Sequence, residues 1–252
     1  MLAGAALAAG GMVVLWAVSV RLRDASIVDP FWGPGFAAVA WTSVAVAGPS
    51  PRGLLLAALA SAWGLRLGVY LARRRRGHGE DRRYAAMRAA HGERFWWVSL
   101  FTVFLLQAAL LWVVSLPLQA GAALGGETPL GPWEGLGSAV FAVGLAFEAV
   151  GDAQLSRFLA DPKSRGQVMD RGLWRWTRHP NYFGDFLVWW GLGLASLGAG
   201  AWWTLAGPAV MSLLLRRVSG VTLLEATIAD RRPGYAAYAA RTSAFFPWPP
   251  SR

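Results

Sequence analysis

The 252-residue chain contains no cysteine, which excludes disulfides, thiolate metal sites and a cysteine nucleophile. Histidine is nearly as scarce. His78, His91 and His179 stand alone, without the spacing that metal ligands need, so no metal site is expected. Charge is thin as well: 15% of the residues are charged, and acids are the rarer sign, 14 against 24 basic residues. With 55% hydrophobic residues and 15 Trp, that charge is too sparse for a soluble domain of this size. There is no internal repeat and no linker long enough to separate domains. The chain therefore reads as one integral membrane domain over 1–252, all-α because a helix satisfies its own backbone in lipid.

Seven apolar runs approach spanning length: Leu2–Val20, Pro34–Gly48, Leu54–Ala72, Phe95–Pro117, Trp133–Gly151, Tyr182–Leu197 and Ala201–Leu215. Charge placement orients them, because short cytosolic loops collect Lys and Arg. Of the 24 basic residues, 22 fall in four stretches: Arg21 with Arg23, Arg73–Arg94, Arg157–Arg178 and Arg216–Arg252. A seven-helix bundle puts all four on one face, with the N-terminus outside and the C-terminus in the cytosol. The outer loops Leu118–Pro132 and Gly198–Gly200 then carry no basic residue. The net charge of +10 follows from this asymmetry and from attraction to anionic headgroups, and no nucleic-acid partner is expected. The first run lacks a basic segment before it and reads as a retained anchor rather than a cleaved signal.

Polar groups in or beside such runs are functional candidates, because an ionised side chain there costs several kcal/mol unless paired or wetted. Asp29, Arg66, Gln107, Glu148 and Asp185 are of this kind. Glu148 and Asp152 are spaced i, i+4 at the cytosolic end of the fifth run and face the same way. Arg66 is close enough to its end to snorkel, and Asp29 before Pro30 reads as an N-cap. Pro180 suits a first helical position, so a helix starts inside Arg178-His179-Pro180-Asn181-Tyr182-Phe183-Gly184-Asp185, with Arg178, Asn181 and Asp185 on one stripe. The loop Asp161-Pro162-Lys163-Ser164-Arg165-Gly166 precedes it with cations suited to phosphate. Gly191-Leu192-Gly193 mimics a dinucleotide fingerprint but lies within an apolar run, where glycine serves helix packing. Past the last run, Tyr235 and Tyr238 share a face, and Phe245-Phe246-Pro247-Trp248 forms an aromatic tail that either anchors at the membrane surface or closes over a cofactor.

Asp29-Pro30-Phe31-Trp32-Gly33, Trp63-Gly64-Leu65-Arg66, Gly79-Glu80-Asp81-Arg82-Arg83-Tyr84, Asp152 with Arg157-Phe158, the segment Arg178 to Asp185, and Tyr235, Tyr238 with Arg241-Thr242-Ser243-Ala244-Phe245-Phe246-Pro247-Trp248 follow one another along nearly the whole chain. Together they resemble the membrane family of steroid 5-alpha-reductases, in particular its bacterial branch known as domain of unknown function 1295. The resemblance implies NADPH bound from the cytosolic side, in the half of the chain from about 133 to 252, and an apolar lipid or sterol-like substrate entering from the bilayer of the bacterial inner membrane. It implies that Asn181, Tyr182 and Asp185 position the cofactor, with His179 and Tyr235 beside it and Asp152 on its amide or ribose. Lys163, Arg165, Arg178 and Arg217, or Arg216 in its place, would meet its phosphates. Asp29, Glu148 and Tyr182 are the catalytic candidates for a C=C reduction. In the steroid-reducing members a Tyr partnered by a Glu polarises the ketone, whereas here Trp63 stands in place of the Tyr and Asp29 roughly in place of the Glu. The short core Arg178-His179-Pro180, Tyr182 and Gly184 is shared with isoprenylcysteine-type methyltransferases. An S-adenosylmethionine-dependent methyltransferase using Glu225 is therefore the alternative, and a non-catalytic lipid-binding protein a second one.

Overall fold

The computed structural model describes residues 1–218, 221, 225 and 232–251. Among these the regular elements are all helical. The chain forms two compact units, one of Met1–Gly135 with Leu194–Gly207, the other of Leu136–Gly193 with Pro208–Arg252.

The first unit holds α1 (Leu2–Leu22), α2 (Val28–Ala47), α3 (Pro51–Arg75), α4 (Arg82–His91), α5 (Phe95–Ser99), α6 (Leu106–Val114) and α7 (Leu116–Ala123), with a π-helical stretch Leu100–Leu105 between α5 and α6. Its core is built on Phe36, Leu56, Trp63, Leu111 and Leu118, all at most 1% exposed. The sequence permits the close pairing of α2 and α3 because Gly33 and Gly64 meet back to back. A Cβ on either would strike the backbone of the other. Pro51 opens α3, and the Ser50 side chain caps it by accepting from Gly53 N–H.

Several expectations change here. Asp29 is not a cap. α2 begins one residue earlier, and the carboxylate accepts from Tyr84 Oη at 2.7 Å and Arg83 Nη2 at 3.1 Å. The stretch after Pro117 is not simply a loop, because Ser115 ends α6 and Pro117 helps to start α7, which buries Leu118, Ala120 and Ala122. Arg52, a basic residue outside the four basic stretches, is 2% exposed, and its Nε donates to Glu134, itself 2% exposed. An Arg buried at a membrane edge needs such a partner, since its desolvation would otherwise go uncompensated.

The second unit holds most of α8 (Pro132–Ala160), most of α9 (Pro180–Leu197) and most of α10 (Ala206–Leu213), followed by a π-helical turn Leu214–Val218 and α11 (Tyr235–Arg241). Glycines again set the helix pairing. A Cβ at Gly184 would meet Gly144 O at 2.6 Å and the Glu148 side chain at 2.7 Å, and one at Gly191 would meet Phe141 N at 2.6 Å. Gly184 and Gly191 are seven residues apart, so they line one seam of α9 against α8. Trp190 Nε1 donates to Ser212 Oγ at 3.0 Å and ties α9 to α10.

Among the described residues four helical stretches are long and apolar enough to cross a membrane: Leu2–Leu22, Pro51–Arg75, Arg82–Val114 and Pro132–Ala160. The other three expected runs overlap α2, α9 and α10, and the last of them, Ala201–Leu215, is helical as a 3-10 turn, the eight-residue α10 and the start of the π-helical turn.

Candidate functional site

α9 starts at Pro180, as its missing N–H and fixed φ dictate. The turn before it is held from several directions within the second unit. Thr177 Oγ1 donates to Phe245 O at 2.8 Å, and Arg178 N–H donates to Ser243 O at 2.9 Å. Trp174 Nε1 donates to Gly151 O at 3.1 Å, and Tyr238 Oη donates to Trp174 O. Gly151 lets α8 lie against this turn, because a Cβ there would come within 3.2 Å of Asn181 N and 3.3 Å of Pro180 Cγ. Gly172, at φ 59°, takes the left-handed region that favours glycine and clears the Gln154 side chain, which in turn accepts from Leu173 N–H at 3.0 Å.

Two polar clusters result. In one, Asn181 Nδ2 donates to Asp152 Oδ1 at 3.3 Å, while Asn181 Oδ1 accepts from Tyr182 N–H at 3.1 Å. Asp152 and Glu148, a turn apart on α8, are both 3% exposed. In the other, Glu225 gathers the fork of Arg178, Nε at 2.8 Å and Nη2 at 2.9 Å, with His179 Nε2 at 3.0 Å and Tyr235 Oη at 3.3 Å. Arg178 Nη1 donates to Ala239 O at 2.8 Å and Thr242 O at 3.4 Å. The His179 ring stacks on Tyr182 with centroids 5.5 Å apart.

Burial by itself pushes the Glu225 carboxyl up, but hydrogen bonds from His179 and Arg178 and the Arg178 charge outweigh it and hold the group below its usual range. The Tyr235 phenol is pushed up to about 12, first by burial and then by the negative charge of Glu225. The carboxylate is therefore ionised and the phenol neutral throughout the ordinary pH range.

Of the residues expected at a cofactor site, Arg178, His179 and Tyr235 converge on one carboxylate, and Asn181 joins Asp152. Asp185 follows Asn181 by one turn on α9, and Arg217 is exposed in the π-helical turn. Lys163 and Arg165 are exposed after α8, where the Asp161 carboxylate caps a 3-10 turn by accepting from Lys163 N–H at 2.9 Å. Among the described residues neither cationic side chain is engaged in a hydrogen bond or ion pair. Asp29 lies in the first unit, in its own cluster with Arg83, Tyr84 and Gln107, whose Nε2 donates to Tyr84 Oη at 3.4 Å. Sequence reasoning gave Glu225 only a role in the alternative activity and did not find Tyr84 as the partner of Asp29. The available signal for Glu225 was an acid placed between the basic turn Arg216-Arg217 and the aromatic tail.

The fold and this helix-start cluster define an all-helical membrane protein with a polar centre at the N-terminus of an apolar helix. The chain belongs to the family described as protein of unknown function DUF1295, whose profile it matches over residues 15–242, and which is related to steroid 5-alpha-reductase-like proteins. It is 27% identical over 275 residues to the uncharacterized protein C594.04c of Schizosaccharomyces pombe (strain 972 / ATCC 24843), an alignment covering 93% of this chain and 76% of that one. It is 38% identical over 90 residues to the probable O-methyltransferase ustE of Ustilaginoidea virens, covering 35% of this chain and 31% of that protein. No solved structure matches it.

Proposed function

We propose that the protein is a membrane-embedded, NADPH-dependent reductase of a C=C bond in an apolar lipid, a member of the bacterial steroid-reductase-like branch. In this reading it has seven spans, its N-terminus lies outside and its cofactor site faces the cytosol of the bacterial inner membrane. The observation that carries the reading is the Asn181–Asp152 pair at the start of α9. A carboxylate 3% exposed beside a side-chain amide presents an acceptor and a donor together, the complement of a nicotinamide carboxamide. Dinucleotide phosphates require cations that the protein has not already neutralised, and among the described residues Lys163 and Arg165 have no neutralising partner. The residues present therefore fit the cofactor. Arg217 adds charge, while His179, Tyr182, Asp185 and Tyr235 frame the same helix start.

When bound, NADPH would supply a hydride to one carbon of the double bond. The protein's own role is to hold that cofactor at the α9 start, exclude water and deliver a proton to the neighbouring carbon. Glu148 and Tyr182, in the same unit as that helix start, are the proposed proton-handling groups. The substrate differs from a 4-ene-3-ketosteroid in this proposal. Trp63, in place of the ketone-polarising Tyr, is wholly buried, with its ring 5.8 Å from that of Phe36, and offers only an indole N–H. Loss of a donor to a developing oxyanion costs about two to three orders of magnitude in rate. Slow NADPH consumption with such a steroid, increased by Trp63→Tyr, is the expected result.

A second reading, an S-adenosylmethionine-dependent methyltransferase, is favoured by the 38% identity to a probable O-methyltransferase over 90 residues and by the Glu225 cluster at the shared motif. Titration of the purified protein with NADPH, NADH and S-adenosylmethionine decides between the two. Tighter binding of NADPH than of NADH supports the reductase, because the extra phosphate meets extra cations. Saturable S-adenosylmethionine binding without NADPH binding replaces it with the methyltransferase.

A further inference from the structure

Every nitrogen of Arg178 is already engaged within the protein. Its Nε and Nη2 are spent on Glu225, its Nη1 on Ala239 O and Thr242 O, and its backbone N–H on Ser243 O. The residue after it, His179, is 4% exposed and meets the same carboxylate through Nε2. Glu225 thus holds two consecutive side chains immediately before Pro180, and through Arg178 and Tyr235 it also holds the α11 segment. Three separate pieces of chain, residues 178–179, residue 225 and residues 235–243, are fixed by one ionised group.

We propose that Glu225 is the positioning residue of the cofactor site. It touches no cofactor itself. It sets the conformation of the Arg178–His179 turn, and this turn sets where Asn181 and Tyr182 stand. The bidentate fork is the reason a carboxylate is required there: an amide offers one acceptor where two parallel N–H groups arrive, and it carries no charge to hold a guanidinium that is only partly exposed. Arg178 then acts through Glu225 and the α11 carbonyls as a clamp, and phosphate binding falls to Lys163 and Arg165. This inference rests on the reading that α9 begins at a cofactor site.

The test uses the full chain in detergent, with intrinsic tryptophan fluorescence reporting the binding of NADPH and, in a parallel arm, of S-adenosylmethionine. Glu225→Gln is expected to weaken NADPH binding about tenfold or more, the equivalent of one charged hydrogen bond, and Glu225→Asp to recover most of the loss. The cycle with Arg178→Lys is expected to be non-additive, the double variant binding no worse than the weaker single one. A purely structural role would lower the melting temperature of all the variants without rescue by Asp and without coupling in affinity. Wild-type affinity in Glu225→Gln, or an additive cycle, overturns the proposal. If wild type binds S-adenosylmethionine and not NADPH, the reductase reading falls and the same criteria in the second arm decide the role of Glu225. Binding of neither overturns both.

Discussion

Asn181 and Asp185 were legible in the sequence because a proline fixes where the helix starts, and helical spacing then fixes their shared stripe. What the helix rule could not give was which groups meet this turn, since Asp152, the partner of Asn181, and Glu225, the partner of Arg178, lie 29 and 47 positions away. Asn181→Ala and Asp185→Ala are each expected to abolish NADPH binding while leaving the detergent-solubilised protein folded, because neither side chain is needed to complete the helix. Wild-type affinity in both variants would show that the stripe faces something else. Glu225 makes a second prediction, in pH. Its folded pKa lies below the ordinary 4.5, so its contribution to stability is fully present above that value and is lost as pH falls through the lower, folded one. The gap in melting temperature between wild type and Glu225→Gln should therefore stay constant from neutral pH down to about 5 and close at more acid pH. A gap that is the same at all pH values would mean that the carboxylate is not ionised in the folded protein.

At the scale of the elements, the sequence placed α9 well and placed the region after Pro117 poorly. The difference is physical. Pro180 stands at a boundary that composition also marks, whereas Ser115 interrupts an unbroken apolar run and divides it only because Pro117 begins a new helix there. Glycine in apolar runs was correctly assigned to packing at Gly191, but which glycines are indispensable depends on the neighbouring backbone. Gly184 and Gly135 are both on long helices, yet a Cβ at Gly184 would meet the α8 backbone, while one at Gly135 meets nothing within 4 Å. Gly184→Ala is expected to lower stability by about 1–3 kcal/mol through overpacking, and Gly135→Ala to leave it unchanged or slightly raised through helix propensity. Thermal unfolding of the two variants in the same detergent checks this, and equal melting temperatures would refute the close α8–α9 seam.

At the scale of the whole molecule, hydropathy gave the all-helical membrane class, and the positive-inside pattern gave an orientation. Among the described residues four stretches meet both the length and the hydropathy of a span, against the seven apolar runs in the sequence. The two counts place the basic segments on different faces. If only the four cross, the loop after α3 and the loop after α8 lie opposite Arg21 and Arg23, and the basic residues are divided between the two sides. If α2, α9 and α10 cross as well, those loops and the Arg21 turn share one face, which the positive-inside rule favours. Length is no obstacle for α2 or α9: their 20 and 18 residues extend about 30 and 27 Å at 1.5 Å per residue, close to the thickness of the hydrocarbon core. The absence of native cysteine turns this into a direct measurement, because a single introduced thiol is the only reactive one. A membrane-impermeant maleimide added to intact cells is expected to label Glu127→Cys and to spare Arg21→Cys, His78→Cys and Lys163→Cys until the membrane is opened, whereas labelling of Arg21→Cys with His78→Cys and Lys163→Cys spared would mean that only the four stretches cross. Labelling of His78→Cys or Lys163→Cys in intact cells would put that loop outside and would remove the cytosolic entry that NADPH requires.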